Sequence, residues 1–411
     1  MERVLERCCG LDVGQKTVAA CVRIPAPDGG REQIIRTFGT MTADLLALRD
    51  WLLAHGVTQL AMESTGVYWK PIYYALEDEL TVLLVNARHV KHVPGRKTDV
   101  SDCAWIAQLL EHGLLRASFV PPAPIRELRD LTRYRKSQIQ ERAREVNRLH
   151  KVLEDAGMKL AAVASDVLGV SGRAMLEALL HGTTDAEILA ELSRGRLRKK
   201  LPQLRQALNS RFGAHHRFLV GRIIAHLDYL DESIAECSQQ VELLLRPFAP
   251  VIERLKTIPG VKQRTAEVII AECGLDMGRF PTPAHLASWA GMCPGNNESA
   301  GKRKSGKTRQ GSKWLRIALI EAAQAAARTD TALSARHRRI MRHRGYQRAV
   351  VAVGHEILVI AYCLIARATT YQELGSTYFD RRYTERTIRR CVRTLEQLGH
   401  QVTLQPMAAV A

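Results

Sequence analysis

The hydrophobic pattern changes period along the chain. From Leu5 to Thr40 the apolar positions come in short, β-branched runs: Leu5–Val13, Thr17–Ile24 and Ile34–Thr40, punctuated by Gly10, Gly14 and a turn at Pro25–Gly30. This predicts three strands in an antiparallel meander. From Thr42 to His55 the apolar residues (Leu45, Leu46, Leu48, Trp51, Leu52) fall at helical spacing, which predicts a helix with Thr42 as N-cap and Gly56 at its stop. A strand Gln59–Met62 ending at Glu63, a helix Pro71–Leu80, a buried strand Thr81–Val85 and a helix Val100–His112 complete the pattern. The order β-β-β-α-β-α-β-α predicts an α/β domain over residues 1–120, a mixed sheet with flanking helices.

Pro121-Pro122-Ala-Pro124 cannot continue a helix and predicts a short, stiff linker. Beyond it, residues 125–155 and 214–246 are charged, with apolar residues at three-four spacing, and they bracket a small helical insert at 160–210. The expectation is an all-α, antiparallel coiled-coil arm over 125–250 that serves dimerisation. The chain is helical again from 252. The turn Ile258-Pro-Gly-Val261 has the form of a helix-hairpin-helix, whose second helix would face a DNA phosphate with its N-terminal amides. A mainly helical domain over 251–370 and a basic extension over 371–411 follow.

Composition narrows the partner. The 411 residues carry 60 Lys and Arg against 42 Asp and Glu, a formal charge of +18. The excess is concentrated: residues 299–348 alone hold 14 basic and 2 acidic side chains. Such density is what neutralising a phosphate backbone requires, so a polyanion is the expected partner. No unbroken apolar run reaches the ~20 residues of a membrane span, and the N-terminus carries no secretion pattern. The nine cysteines include no CxxC pair, which predicts reduced thiols in a cytoplasm and no zinc site.

Four acidic residues stand at the structural breaks of the first domain. Asp12 follows an apolar strand and precedes Gly14, Glu63 ends a second strand, and Asp99 and Asp102 lie three apart at the start of a predicted helix. If these elements are neighbours, the carboxylates converge, and their repulsion requires cations. Hard oxygen donors in that number suit Mg²⁺ or Mn²⁺, and two such ions can clamp the attacking and leaving oxygens of a phosphodiester.

Gly10-Leu-Asp12-Val-Gly14, Met62-Glu-Ser-Thr-Gly-Val-Tyr68 and Lys97-Thr-Asp-Val-Ser-Asp102 together resemble the DEDD signature of insertion-sequence transposases. Cys103 departs from that pattern, which has alanine there. The resemblance spans the first domain and, past the arm, about Leu255 to Arg367. It implies a RuvC-like (RNase H-like) N-terminal fold, with Asp12, Glu63, Asp99 and Asp102 as catalytic metal ligands. It also implies a structured bridge-type non-coding RNA as guide, and a homo-oligomer, a dimer that becomes a tetramer on DNA. Its active site is composite, with the carboxylates of one protomer facing the serine of another.

A serine nucleophile needs something to withdraw its proton. The loop Met292–Gly306 runs into the basic cluster, and on the residues alone Ser299, Ser305 and Ser312 all remain open. The resemblance places the nucleophile, which forms a phosphoserine link to a DNA end, at Ser299. Lys302, Arg303, Lys304, Lys307, Arg309 and Lys313 are read as a nucleic-acid clamp. Arg338, Arg339 and Arg342, in an Arg/His run after a helix, extend it, with Tyr346 available to stack on a base. The competing readings are a RuvC-like junction-resolving nuclease without a covalent serine, an actin-like or sugar-kinase-like ATPase, and a non-catalytic DNA-binding regulator. The favoured reading is a metal-dependent enzyme that cuts and rejoins DNA.

Overall fold

A computed structural model describes residues 3–27, 29–64, 66–87, 90, 101–295, 297–379 and 384–405, with backbone only for 297–299, 303, 304 and 385–387. It divides into two compact units, Met1–Val120 and Pro121–Ala411.

The first unit is built on five strands: β1 (Cys8–Val13), β2 (Thr17–Pro25), β3 (Arg31–Gly39), β4 (Gln59–Glu63) and β5 (Thr81–Val85). Their order in the sheet is β3-β2-β1-β4-β5. The meander β1-β2-β3 is antiparallel, as its short connections require, while β4 runs parallel to both β1 and β5. This mixed sheet fits the RNase H-like arrangement. Helices α1 (Thr42–Ala54) and α2 (Trp69–Leu76) cover one face, where Leu45, Leu48, Leu52, Ile72 and Leu76 meet Leu11, Val13, Leu60 and Met62. The other face carries α3 (Asp102–Glu111), whose Trp105, Ile106 and Leu109 pack on Cys8, Ala61 and Val85. Two expected boundaries move. Thr42 is the first helical residue and Met41 the uncapped N-cap, and the helix expected to open at Pro71 begins two residues earlier and ends at Leu76.

Gly10 decides how closely α3 approaches. A Cβ there would sit 2.2 Å from the carbonyl oxygen of Cys103 and 2.3 Å from the amide nitrogen of Ala107, both backbone atoms that cannot step aside. The C-terminal end of α3 is anchored by charge. Glu111, buried, pairs with Arg23 of β2 at 2.7 Å and Arg31 of β3 at 2.6 Å. Removing Glu111 would leave two largely buried guanidinium groups without their carboxylate.

In the second unit, α4 (Ala123–Asp155) and α9 (Ala214–Leu245) lie side by side and antiparallel, as the partners Gln138–Ser233 and Arg142–Asp231 show. Between them α5 (Leu160–Val163), α6 (Val170–Leu180), α7 (Ala186–Glu191) and α8 (Leu201–Leu208) gather their own core around Leu149, Leu176, Leu204 and Phe212. The remainder is α10 (Ala249–Lys256), α11 (Gln263–Cys273), α12 (Pro283–Trp289), the hairpin β6–β7 (Asn297–Ser299, Lys302–Ser305), α13 (Lys313–Ala326), α14 (Ala332–Arg344), α15 (Tyr346–Arg367) and α16 (Thr384–Gln397). By length and composition α15 could cross a membrane, although Gln347, Arg348, His355 and Glu356 interrupt its apolar run. Val350, Val353, Ile357, Leu358 and Ala361 along it are buried, and α10, α12, α13 and α14 all pack against it.

Gly10→Ala should therefore lower stability by about 3 kcal/mol through overpacking. The expected readout is an early unfolding transition in urea that leaves the helices of the second unit in place.

Candidate active site

Alternation along β1 sends Cys9, Leu11 and Val13 into the core with α1 and α2. Cys8, Gly10 and Asp12 therefore share the α3 face. The parallel register pairs Leu11 with Met62, so Asp12 and Glu63 are the next residues on two neighbouring strands, both at their C-terminal ends. Asp102 is the first residue of α3, where a carboxylate also meets the helix's positive end. Because Gly10 lets α3 lie directly on β1, that first turn comes down beside Asp12. The charges register the approach. Loss of hydration raises the carboxyl of Asp12 above its ordinary value, and the charge of Asp102 raises it further.

The structure thus brings three of the four expected acids to one edge of one face. Their donor oxygens do not all fall within 4.8 Å of one another, so they border a common region without closing on a point. Asp99, like Lys97, lies outside the described residues. Three carboxylates on one face, two of them repelling each other, form a hard-oxygen donor set that suits a divalent cation.

A different trio does meet the distance criterion: Asp155, His215 and His216, where α4 ends and α9 begins. Its hydrogen bonds argue against an ion. The Gly213 amide donates to His216 Nδ1 at 3.1 Å, so the ring proton of the neutral imidazole sits on Nε2, which reaches Asp155 at 3.1 Å. An ion on Nε2 would force that proton onto Nδ1, against the amide. The trio is a clasp at the start of α9.

The serines separate by context. Ser299 ends β6 and pairs with Lys302 across Ala300 and Gly301, which have φ of 50° and 73°. A two-residue turn of this kind needs positive φ at both positions, and alanine adopts it against its preference. Ser305 accepts the Lys307 amide at 3.2 Å. Ser312 caps α13 by accepting the Leu315 amide and donates to Glu272 Oε2 at 2.9 Å, so its hydroxyl is already committed.

Lys302, Lys307, Arg309 and Lys313 are exposed around this hairpin, while the side chains of Arg303 and Lys304 lie outside the described set. Lys313 also stands over the Trp314 ring at 4.7 Å. The Arg/His run expected after a helix is itself the helix α14, ended by Gly345 at φ 80°. Arg338, Arg339 and Arg342 are exposed on it. Arg338 donates to Ser334, Arg339 stands 5.9 Å over the Phe379 ring, and Tyr346 meets His337 edge-on. The turn expected as a helix-hairpin-helix is flanked by α10 and α11. Gly260, at φ 85°, would carry a Cβ 2.2 Å from the Ala322 carbonyl, so the turn is seated on α13.

Sequence reasoning missed a buried ionic cluster in which Arg129 and Arg133 of α4 meet Glu272 of α11, and Arg135 meets Glu267. The available signal was an acid at each of two core-facing positions of an apolar helix.

A raised Asp12 carboxyl means the folded chain binds that proton more tightly than the unfolded one. Stability then falls as pH rises from the ordinary carboxylate range through the raised value, and at neutral pH the Asp12 charge is a cost. Asp12→Asn should raise the Tm of chelator-treated protein. A divalent salt should raise the Tm of the native chain and do markedly less for the variant, a difference that scanning calorimetry would read.

Comparison with known proteins agrees with this geometry. The DEDD transposase family of the IS110 type matches residues 9–158, and the IS116/IS110/IS902 transposase family matches residues 252–338, together more than half of the chain. The transposase for insertion sequence element IS1111A of Coxiella burnetii is 25% identical over 296 residues, 70% of this chain and 72% of that protein. An insertion element IS110 uncharacterized 43.6 kDa protein of Streptomyces coelicolor is 29% identical over 159 residues, 38% of each chain. Acids at the ends of two parallel strands and at the start of the helix above them fall within the first match, and the basic hairpin falls within the second. The chain belongs to the IS110 family of DNA transposases.

Proposed function

We propose that this transposase cuts and rejoins DNA strands through Ser299, with Asp12, Glu63, Asp99 and Asp102 as its metal ligands. The observation that carries the reading is the gathering of Asp12, Glu63 and Asp102 on the α3 face. Mg²⁺ is the cation this donor set would take, with Mn²⁺ as substitute, and bound there it would supply positive charge to the phosphodiester oxygens. The protein's own groups do the rest. The cations of the hairpin, Lys302 to Lys313, hold the scissile phosphate. Ser299 Oγ attacks the phosphorus, its proton passes to the carboxylate set, and the bond to the leaving strand oxygen breaks as the serine ester forms. The ester keeps the energy of the broken bond, so a second strand's hydroxyl can displace Ser299 without ATP.

The carboxylates and the serine belong to separate compact units, and we assign them to a composite site in which one protomer's acids serve another's hairpin. The arm of α4 and α9 is the element we assign to dimerisation as a coiled coil, with a tetramer assembling on DNA. A structured non-coding RNA is assigned as guide, a second polyanion in keeping with the formal charge of +18.

Three measurements follow. Incubation with Mg²⁺, donor and target DNA and the element's own non-coding RNA should yield a covalent protein–DNA adduct with the native chain and with Ser305→Ala, and none with Ser299→Ala. Mixed Asp12→Ala and Ser299→Ala chains should recover part of the activity neither has alone; no recovery contradicts a shared site. For the surface of α14, Arg338→Ala and Arg342→Ala should each weaken DNA binding irrespective of sequence and lower the salt slope by about 1.

A further inference from the structure

Glu272 is 1% exposed in the last turn of α11, and the reaction outlined above gives it no task. Groups from two other segments converge on it. Arg133 donates through Nε and Nη2 to its two carboxylate oxygens at 2.7 and 2.8 Å. Arg129 stands 3.8 Å from Oε2 and also donates to the carbonyls of Ala271 and Glu272 at 3.0 and 2.6 Å, finishing the helix. The third partner is the Ser312 hydroxyl, at 2.9 Å. A carboxylate held by charge-assisted hydrogen bonds in this way is a well-oriented acceptor for that hydroxyl.

Ser312 stands at the foot of the serine hairpin. The two ends of the segment 291–311 cross so tightly that only glycine fits: a Cβ on Gly311 would lie 2.3 Å from the Ala290 carbonyl carbon, and one on Gly291 would lie 2.7 Å from the Arg309 oxygen. Above this crossing Pro294 bridges Thr308, and the Gly295 amide donates to Lys307 at 2.8 Å. Then β6 and β7 pair and carry Ser299 to the turn. Both ends of the hairpin thus pass one point, and the residue immediately after that point is bonded to Glu272.

We propose that Glu272 is a positioning residue for this hairpin: oriented by Arg129 and Arg133, it fixes Ser312 and through it the base on which Ser299 is presented. The proposal deepens the assignment of Ser299 and rests on it. It also makes α4 part of the reaction's geometry, because the two arginines that orient Glu272 sit on that helix.

The test uses the full chain and three variants, Ser312→Ala, Ser312→Thr and Glu272→Gln. Two readouts are required: hydrogen exchange of the amides in 294–308, and the rate of adduct formation at saturating DNA. Ser312→Ala should speed hairpin exchange about tenfold and slow adduct formation about 10- to 100-fold, with DNA affinity within about twofold of native. Ser312→Thr keeps the hydroxyl and should restore both. Glu272→Gln should reproduce the Ser312→Ala pattern; if it fails to fold, the serine pair decides. Native exchange in Ser312→Ala, or threonine no better than alanine, overturns the proposal. An adduct that survives Ser299→Ala sinks the assignment of the nucleophile instead, and the exchange readout still judges the positioning.

Discussion

The absence of a side chain at Gly10 is the constraint on which the first unit depends. It lets α3 rest backbone to backbone on β1, with the space for a Cβ already filled by Cys103 and Ala107. At that separation the first turn of α3 cannot avoid the end of β1, and Asp102 stands within electrostatic reach of Asp12. At the far end the same helix is tied to β2 and β3 through Glu111, Arg23 and Arg31. Close packing in the middle and a buried ionic anchor behind it set the angle of the helix. The carboxylates are a consequence of that angle. Their mutual repulsion costs the metal-free fold stability, and it is the kind of local cost that functional sites carry.

The second unit manages charge in the opposite way. Its cations on the hairpin and on α14 are exposed, while its acids at Glu267 and Glu272 are buried and neutralised by arginines from α4. Exposed like charges favour a polyanion, and buried unlike pairs fix one helix against another. The two patterns meet at Ser312, one residue from the cationic loop and one hydrogen bond from the buried carboxylate.

Much of this was legible along the chain because it is local. Alternation and turn residues located the five strands, and Asp12 and Glu63 could be placed at strand ends before any coordinates, since each is followed within a few residues by glycine. Helix boundaries were less secure. Pro71 reads as a helix start, yet tolerates the third helical position because the first-turn amides have no intrahelical partners. The Arg/His run of α14 was placed after a helix, not in one, because its polar residues mask a face in which only Ala332, Leu333, Ser334 and His337 are buried. On the residues alone Ser312 stayed open beside Ser299 and Ser305 as a nucleophile, and its commitment lies in Glu272, forty residues away. Pairings such as Arg133 with Glu272 join positions 139 apart, and no periodicity encodes them.

The central claim is that Asp12 and Asp102 act on one bound cation because α3 is held against β1. Mn²⁺ affinity, measured for the native chain, Asp12→Asn, Asp102→Asn and the double variant, tests it most directly. The account predicts strong non-additivity, with either single change costing nearly as much affinity as both together. Independent, additive losses, or Mn²⁺ binding that ignores both substitutions, would contradict it.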